Sequence, residues 1–241
     1  MKSGDGNIVM TLDSMNSGGG SASGGSYSLQ DTTGEFAVGD SSGGAYNMNA
    51  GYQAVAIEDT TIAITVAPSD VTMTAYDGVG SNSGLGNTSL TIVTNSYTGY
   101  SLSLAKSNLT IEALRCVNDL VSKCGDSYFD DYAPAGAVPD FSWTMAADKA
   151  MFGFAPKGGD ISQRYKNNDI DTCGTGSIYD GINYCWDGLG SSASLIAERN
   201  SPTSELGSTT SIYFKSANGA NHIQPSGTYK ADLVVTAVSS S

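Results

Sequence analysis

The sequence predicts an all-β protein: an immunoglobulin-like β-sandwich with an N-terminal array of short strands and a long loop region held by disulfides. Three observations predict this class: short segments of alternating apolar and polar residues, glycine-rich turns between them, and little helical periodicity. We expect residues 1–56 to form the N-terminal strand segment and residues 57–241 to form the sandwich. An irregular, aromatic-rich insertion is expected at about 125–190.

The first fifty residues are short strand-like pieces rich in glycine and serine. Residues 23–27 (SGGSY) return as residues 42–46 (SGGAY), and brief strand-like runs follow at 28–30 and 47–49. Pieces with so little apolar mass are marginal in water by themselves. We therefore expect them to pair with a sheet that has a core, either in their own domain or in a neighbouring copy.

The N-terminal segment also contains one short apolar run that is suited to leaving its own domain. Its residues are Ile8, Val9, Met10, Thr11 and Leu12. Residues 17–25 are predicted to be a linker or wide turn because glycine and serine dominate them. Further short strands are predicted at residues 26–30, 35–38 and 46–55.

The sandwich strands are predicted from apolar residues that recur at every second position. They are expected at residues 62–66, 71–75, 90–93, 100–104 and 229–238. The first of these should bury one face. The strand at 100–104 is expected to form a hairpin with the strand at 90–93, and the strand at 229–238 has the clearest alternation.

One segment between residues 111 and 121 has apolar residues spaced as in a helix. A straight helix would place Cys116 and Cys124 about 12 Å apart. A disulfide between them requires Cα atoms within about 7 Å. We therefore predict a short helical turn or a strand that ends before Cys124, with the disulfide closing a loop.

The four cysteines form two local pairs in the sequence, Cys116 with Cys124 and Cys173 with Cys185. Four cysteines allow three connectivities, and local pairing is the simplest because each pair brackets a polar, loop-like segment. The spacing is not that of a zinc site, and His222 is the single histidine. Two disulfides indicate an oxidising compartment, so we expect an extracellular protein.

The charge balance excludes some partners. There are 24 acidic and 11 basic residues, a net charge of −13, so nucleic acid is not an expected partner. No run approaches the length of about 20 apolar residues that a membrane helix requires. Residues 1–3 are not followed by an apolar stretch, so we expect a trimmed form without its secretory leader.

No motif of a hydrolase, metalloprotease, nucleotide-binding loop or dinucleotide fold is present. A catalytic triad would have to use His222, which lies in turn-like sequence and is better interpreted as a surface residue. Paired carboxylates of a glycosidase exist in Asp130 with Asp131 and in Asp169 with Asp171, but both pairs lie in polar, loop-like sequence. We expect no catalytic, cofactor-binding or metal-binding residues.

Two weaker binding sites are considered. Asn167 and Asn168, with the nearby Asp169 and Asp171, offer oxygen ligands for calcium but lack the glycine and final glutamate of an EF-hand. The insertion is rich in aromatic residues, which fill the core and rim or form a sugar-binding platform. They are Tyr128, Phe129, Tyr132, Phe141, Trp143, Phe152, Phe154, Tyr165, Tyr179, Tyr184 and Trp186. Residues 141–143 and 152–154 are each predicted to be a strand.

The N-terminal motifs resemble a repeat-like segment of secreted and surface proteins of bacteria. They are residues 13–20 (DSMNSGGG), 26–29 (SYSL), 33–35 (TGE), 38–39 (VG), 41–46 (SSGGAY) and 50–53 (AGYQ). Residues 94–102 and 226–237 are similar to the β-sandwich domains that follow that segment. The resemblance implies an exported bacterial β-protein and no particular activity.

Two functions follow as hypotheses. The first is a structural subunit of an extracellular filament or pilus, in which residues 8–12 are the donor strand that completes a sheet of the next copy. The second is a monomeric surface adhesin or carbohydrate-binding module whose aromatic region binds a surface glycan or host-cell receptor. An enzyme is a third hypothesis and would need two convergent, desolvated carboxylates.

Overall fold

The chain divides into two compact units, Met1–Asp59 and Thr60–Ser241. The predicted boundary lay after residue 56. The computed structural model describes the backbone of six short strands in the first unit. In the second unit it describes residues 60–107, 112–117, 124–190 and 192–240.

The described strands of the first unit form three antiparallel hairpins. They are β1 (Lys2–Gly4) with β2 (Asn7–Val9), β3 (Gly18–Gly24) with β4 (Tyr27–Thr33), and β5 (Gly39–Gly43) with β6 (Tyr46–Ala50). In each hairpin the last paired residues leave two residues between the strands. The sequence places a glycine in each two-residue connection, which is typical of tight hairpins.

The strands predicted at residues 28–30 and 47–49 are confirmed within β4 and β6. The prediction of a linker at residues 17–25 is wrong, because residues 18–24 form β3 and pair with β4 over their whole length. Backbone pairing requires no apolar side-chain pattern, so a glycine-rich strand gives no alternation by which to recognise it. The predicted strand at 35–38, residues 51–55 and Met10 to Leu12 lie outside the described residues.

The second unit consists of two sheets. The larger sheet has seven strands in the order β15 (Tyr229–Lys230), β10 (Glu112–Cys116), β11 (Tyr128–Asp131), β12 (Ala150–Lys157), β14 (Ser208–Asn218), β8 (Ser83–Thr94) and β7 (Ile62–Ala67). The smaller sheet has three strands in the order β13 (Ser194–Arg199), β9 (Tyr100–Lys106) and β16 (Leu233–Ser239). Neighbouring strands are antiparallel except β11 and β12.

The all-β class is confirmed for the described residues, which contain no α-helix and a single 3-10 turn at Gln163–Tyr165. The larger sheet curls like half of a barrel. The immunoglobulin-like arrangement stays a prediction.

The core lies between the two sheets and is formed by alternate residues of the facing strands. The larger sheet contributes Leu90, Ile92, Phe152, Phe154, Ile212 and Phe214, and the smaller sheet contributes Tyr100, Leu102, Leu104, Ile196 and Ala197. None of these side chains is more than marginally exposed. Removing this apolar area from water is the main stabilising contribution to the unit.

The predicted hairpin between residues 90–93 and 100–104 is wrong. β8 lies in the larger sheet and β9 in the smaller, and the short connection between them crosses from one layer to the other. Leu90 and Leu102 then face the same core from opposite sides. Both arrangements bury one face of each strand, so alternation does not distinguish pairing from stacking.

The single strand predicted at residues 229–238 is two strands. β15 pairs with β10 in the larger sheet, and β16 pairs with β9 in the smaller. The chain changes sheets near Asp232, whose carbonyl oxygen accepts a hydrogen bond from the N–H of Ser107 at 2.8 Å. The alternate apolar residues of both strands pack against the same core. The alternation in the sequence therefore continues through the residues that connect the two strands.

Three further predictions have mixed outcomes. The strand version of the prediction for residues 111–121 is correct for β10; Ile111 and residues 118–123 lie outside the described residues. Residues 71–75 pack Val71 and Met73 against the core but form no ladder. Residues 152–154 form part of β12, whereas residues 141–143 form no strand.

Candidate functional site

One side of the sandwich is bounded by the outermost strands of both sheets, β7 and β16, which together we call the open edge. Within the described residues, β7 pairs only with β8, and β16 pairs only with β9. The two strands lie near each other but share no ladder. Their outward backbone N–H and C=O groups are those to which an added strand would hydrogen-bond.

The open edge lacks the usual protection of outermost strands. Such strands commonly carry lysine or proline, are very short, or are covered by a loop. β7 and β16 are six and seven residues long and contain no charged residue and no proline. Both are rich in β-branched residues, which suits them to pairing with a further strand.

The opposite edges of the two sheets are protected. β15 is only two residues long and carries Lys230. The outer side of β13 is covered by a neighbouring loop. There, Ser162 donates its N–H to the carbonyl of Ile196 at 2.9 Å. Glu198 donates its N–H to the carbonyl of Asp160 at 2.8 Å. The contrast singles out β7 and β16 as the side where pairing can continue.

The strand predicted at residues 62–66 is confirmed as β7, but the prediction that it buries one face is wrong for two residues. Ile64 pairs with Ile92 and Val66 pairs with Leu90, so all four lie on the core-facing side of the larger sheet. Ile64 and Val66 are nevertheless 41% and 38% exposed. The smaller sheet ends at β16 and does not cover them.

On β16, two of the three side chains that point away from the core between Leu233 and Ser239 are apolar, and the third is Thr236. Val234 and Val238 are exposed, whereas Val235 and Ala237 pack against the core. The open edge therefore presents apolar side chains beside available backbone groups. This combination matches what strand addition uses, because the backbone supplies hydrogen bonds and alternate side chains supply register.

The candidate donor strand at residues 8–12 is described only in its first half. Ile8 and Val9 lie in β2, where they pair with Ser3 and Lys2 of β1. Among the described residues β2 pairs with β1 alone, so its other edge is the side on which a further strand would add. Met10, Thr11 and Leu12 lie outside the described residues.

The cysteines pair as predicted, Cys116 with Cys124 and Cys173 with Cys185, each with Cα atoms 5.9 Å apart. Cys173 and Cys185 are part of the core cluster. This second disulfide closes the turn-rich segment between them and anchors both of its ends in the core.

A second feature is a group of five aromatic residues on the outer face of β12 and β14, which we call the aromatic surface. Its members are Tyr132, Trp143, Tyr184, Trp186 and Tyr213. Tyr132 and Trp186 are buried, whereas the other three are partly exposed. The predicted aromatic region thus divides between the core, where Phe152 and Phe154 lie, and this separate surface.

The rings of the aromatic surface are packed against one another in a continuous series. Trp143 stacks on Tyr132 with ring centroids 4.1 Å apart and meets Trp186 edge-on at 5.3 Å. Tyr184 stacks on Trp186 at 5.0 Å and contacts Tyr213 edge-on at 5.1 Å. Such contacts stabilise the rings beyond their area burial and hold them in fixed positions.

Two lysines lie over the aromatic surface. Lys157 Nζ is 3.7 Å from the ring centroid of Tyr184, and Lys215 Nζ is 5.0 Å from that of Trp143. Desolvation by burial lowers the pKa of both ammonium groups, and the nearby carboxylate of Asp180 partly opposes this for Lys157. Lys215 forms no ion pair within the described residues. Its ammonium group instead makes cation–π contacts with the rings of Trp143 and Trp186.

Sequence reasoning did not identify Tyr213, Lys157 or Lys215 as part of any site. Tyr213 and Lys215 alternate with Ile212 and Phe214 along β14, a period-two pattern that was present in the sequence. Lys157 ends β12, on the same outer face. The pattern could have placed these residues on one sheet face, but it does not reveal which loops cover that face.

The carboxylates of both pairs are engaged in local contacts. Oδ1 of Asp169 accepts from Nδ2 of Asn183, and Oδ1 of Asp171 accepts from Oγ1 of Thr172. Asp130 and Asp131 are successive residues of β11 and therefore point to opposite faces, not into a solvated loop as predicted. Asp131 forms an ion pair with Lys106, and Asp130 lies 3.4 Å from Lys149.

The oxygens proposed for calcium take part in turn hydrogen bonds. Asn168 Oδ1 accepts N–H groups of Ile170, Asp171 and Thr172, and Asn167 Oδ1 accepts that of Asp169. These bonds account for the local fold. Among the described residues, no group of three or more acidic, histidine or cysteine side chains is arranged to hold a metal ion.

His222 lies in the connection between β14 and β15. Its Nδ1 is 3.1 Å from the carbonyl oxygen of Asp148, and its Nε2 is 2.8 Å from Oε1 of Gln224. Its described partners include no serine and no carboxylate. The described contacts therefore give no triad around His222.

Comparison with known proteins gives no match: no family model, no curated protein and no solved structure resembles this chain. Among the described residues, no helix has the length and apolar character needed to cross a membrane. The function is therefore argued from the open edge and the aromatic surface.

Proposed function

We propose that this protein is the structural subunit of an extracellular bacterial filament that assembles head-to-tail by strand addition. The N-terminal strand of one copy, including Ile8 and Val9, pairs with the open edge of the next copy. The observation that carries this proposal is the uncharged, β-branched strand β7, whose inward-facing Ile64 and Val66 are left uncovered.

An added strand would stabilise β7 in two ways. Its backbone continues the ladder beyond β7, and its alternate side chains cover Ile64 and Val66 at the margin of the core. Residues 8–12 are predominantly apolar and uncharged, as this margin requires. Because β2 pairs with β1 alone among the described residues, the hairpin can add through its other side without unpairing.

Strand addition between donor and acceptor surfaces on different parts of the chain is a heterologous contact. Such a contact propagates as a filament when successive rotations do not close a ring. Two disulfides are typical of an oxidising compartment. Together these features support an appendage outside the cell, and the immunoglobulin-like character of the sandwich belongs to the same proposal.

The experiment is size-exclusion chromatography with negative-stain electron microscopy of the oxidised full-length protein at several concentrations. Wild type should form long, uniform fibres whose amount rises with concentration. Ile64→Lys and Val66→Lys should stay monomeric and folded, because both positions are exposed enough for a lysine to reach solvent and charge blocks pairing. Leu206→Lys is the matched control, since Leu206 is 89% exposed in the turn before β14 and belongs to neither β7 nor β16.

Fibres from wild type and Leu206→Lys, but not from the two β7 variants, support the proposal. Wild-type protein that stays monomeric at every concentration overturns it. Fibres from Ile64→Lys and Val66→Lys would place the contact elsewhere. Deleting residues 1–16 tests the donor side: a folded monomer is expected, and fibres from the truncated protein would contradict strand addition.

The aromatic surface favours a second candidate function, binding of a surface glycan by an adhesin or carbohydrate-binding module. Three partly exposed rings, those of Trp143, Tyr184 and Tyr213, are held in place by buried neighbours. Lys215 adds a positive charge beside the partly exposed ring of Trp143 and the buried ring of Trp186, which suits a sugar that carries a carboxylate.

Calorimetric titration with neutral and uronic-acid oligosaccharides tests this second function. Trp143→Ala should abolish binding of either class, and Lys215→Met should weaken only the acidic class. Tyr97→Ala is the control, because Tyr97 is a well-exposed tyrosine outside the aromatic surface. Binding that survives Trp143→Ala would contradict the assignment.

A further inference from the structure

Lys106 and Asp131 form a buried ion pair that joins the two sheets. Lys106 ends β9 of the smaller sheet, and Asp131 ends β11 of the larger sheet. Nζ of Lys106 donates to Oδ2 of Asp131. The Lys106 side chain is only 4% exposed and that of Asp131 20%. A primary amine and a carboxyl group are thus held together across the core.

Both residues continue the core-facing pattern of their strands. Lys106 follows Leu102 and Leu104 on the buried side of β9, and Asp131 follows Phe129 on the buried side of β11. Charged residues at such positions are costly unless they are paired or neutralised, because the interior solvates charge poorly.

Burial at Asp131 disfavours the charged form of its carboxyl group. Burial raises the pKa of the Asp131 carboxyl group, although hydrogen bonding and the charge of Lys106 oppose this shift. Oδ1 is buried and has no hydrogen-bond partner within the described residues. The backbone N–H of Leu189 acts to lower the pKa. Proton transfer inside the pair would remove both charges from the core.

We propose that Lys106 and Asp131 condense to an intramolecular isopeptide bond between Nζ and Cγ. The ammonium first gives one proton to the carboxylate, which leaves a neutral amine and a neutral carboxylic acid. The nitrogen lone pair then attacks Cγ to form a tetrahedral intermediate. The Cγ–OH bond breaks, the hydroxyl takes a second proton from the nitrogen, and water leaves. Nothing is oxidised or reduced, and no further reactant is required.

The other ion pairs among the described residues lack one requirement for this reaction. Lys149 and Asp130 also combine an amine with a carboxylate, but their side chains are 50% and 29% exposed to water. Arg164 with Asp187 and Arg199 with Asp160 offer guanidinium groups, which are not nucleophiles at neutral pH. Within the described ion pairs, Lys106–Asp131 alone combines a primary amine with near-complete burial of that amine. Positioning of this kind raises the effective concentration of the reacting groups.

Such a bond would covalently connect the two sheets independently of the disulfides. A chain pulled at its ends would then be unable to separate β9 from β11 without breaking an amide. This property suits an extracellular protein exposed to force, but the proposal does not depend on filament formation.

Intact-mass spectrometry of the folded, full-length protein, with disulfides reduced, tests the proposal. Wild type should weigh one water molecule less than its sequence. Lys106→Arg, which keeps the positive charge and the fold, and Asp131→Ala should both have the full sequence mass. Lys149→Arg is the matched control and should keep the loss. Digestion of wild type should yield one branched peptide linking residues 106 and 131.

Two results would overturn the proposal. The first is a folded wild-type protein, verified by near-ultraviolet circular dichroism, with the full sequence mass after prolonged incubation. The second is a loss of water that persists in Lys106→Arg, which would place the dehydration at another residue. Neither result bears on whether the protein forms fibres, so the two proposals fail independently.

Discussion

Ile64 of β7 and Ile92 of β8 are cross-strand partners on the same face of the larger sheet, yet their environments differ completely. Ile92 is fully buried, whereas Ile64 is 41% exposed. The difference arises because the opposing sheet extends over β8 but not over β7. The same alternation of apolar residues is therefore buried in the core on β8 and partly exposed to solvent on β7.

This pair gives a direct stability prediction. Ile92→Ala should lower the free energy of unfolding by about 2–5 kcal/mol, because it leaves a cavity in the core. Ile64→Ala should lower it by less than about 1 kcal/mol in dilute, monomeric protein, because solvent already reaches the side chain. Denaturant titration measures both changes, and equal losses would show that β7 is covered in the monomer.

Gly153 makes the aromatic surface possible. A Cβ at this position would lie 2.7 Å from Cβ of Tyr132 and 2.7 Å from the carbonyl oxygen of Asp187. Gly153→Ala should therefore destabilise the protein by about 1–3 kcal/mol through overpacking. It should also change the intrinsic fluorescence, since both tryptophans belong to this surface.

Gly159→Ala is the matched control for Gly153, because a Cβ there meets no atom within 4 Å. Its effect on the free energy of unfolding should stay within about 0.5 kcal/mol. If Gly153→Ala behaves like this control, Tyr132 is not held against β12.

Alkaline pH should destabilise the fold through Tyr100. Burial raises the pKa of this phenol from 10.0 to about 12, and its hydroxyl donates to Oδ2 of Asp160 at 2.9 Å. Because the folded pKa lies above the unfolded value, the contribution is complete below pH 10.0 and is lost as the pH rises through about 12. The loss should amount to about 1–3 kcal/mol.

Denaturant titrations between neutral pH and the onset of alkaline unfolding check this dependence. Tyr100→Phe should flatten the curve, whereas Tyr97→Phe, at an exposed position, should leave it unchanged. An unaltered slope in Tyr100→Phe would mean that other groups control alkaline unfolding.

The two disulfides should differ in their contribution to stability. Cys173 and Cys185 are each 2% exposed and pack in the core, so replacing both with alanine should cost about 2–5 kcal/mol. Replacing Cys116 and Cys124 should cost less, because that bridge closes a shorter loop, with a sequence separation of 8 against 12. Thermal unfolding of both double variants tests the order, and the reverse order would contradict this interpretation.

The sequence predicted local features well and the arrangement of sheets poorly. Alternation located β7, β9 and the strand at residues 152–154, and cysteine spacing identified both disulfides. Strands β13 and β14 were not predicted. In β14 the period of two is present but is a weak apolar signal, because the outward-facing Tyr213 is as large as its inward-facing neighbour Phe214.

The parts of the site that the sequence did not reveal depend on contacts between distant residues. The exposure of Ile64 follows from where β16 ends the opposing sheet, more than 160 residues later in the chain. The pairing of Lys106 with Asp131 requires β9 and β11 to face each other across the core. Neither relationship has a local signature, because side-chain patterns report burial and not the identity of the neighbour.

Cysteine cross-linking between separately prepared variants tests strand addition most directly. Protein carrying Ile8→Cys is mixed with protein carrying Ile64→Cys or Thr65→Cys, which present adjacent positions on the two faces of β7, and the products are separated without reductant. Leu206→Cys replaces the β7 variant as the control. Strand addition predicts disulfide-linked pairs of Ile8→Cys with one of the β7 variants and none with Leu206→Cys. A third protein carries both Ile8→Cys and Ile64→Cys on one chain. A cross-link within that chain, together with no cross-link between the separately prepared variants, would contradict assembly between copies.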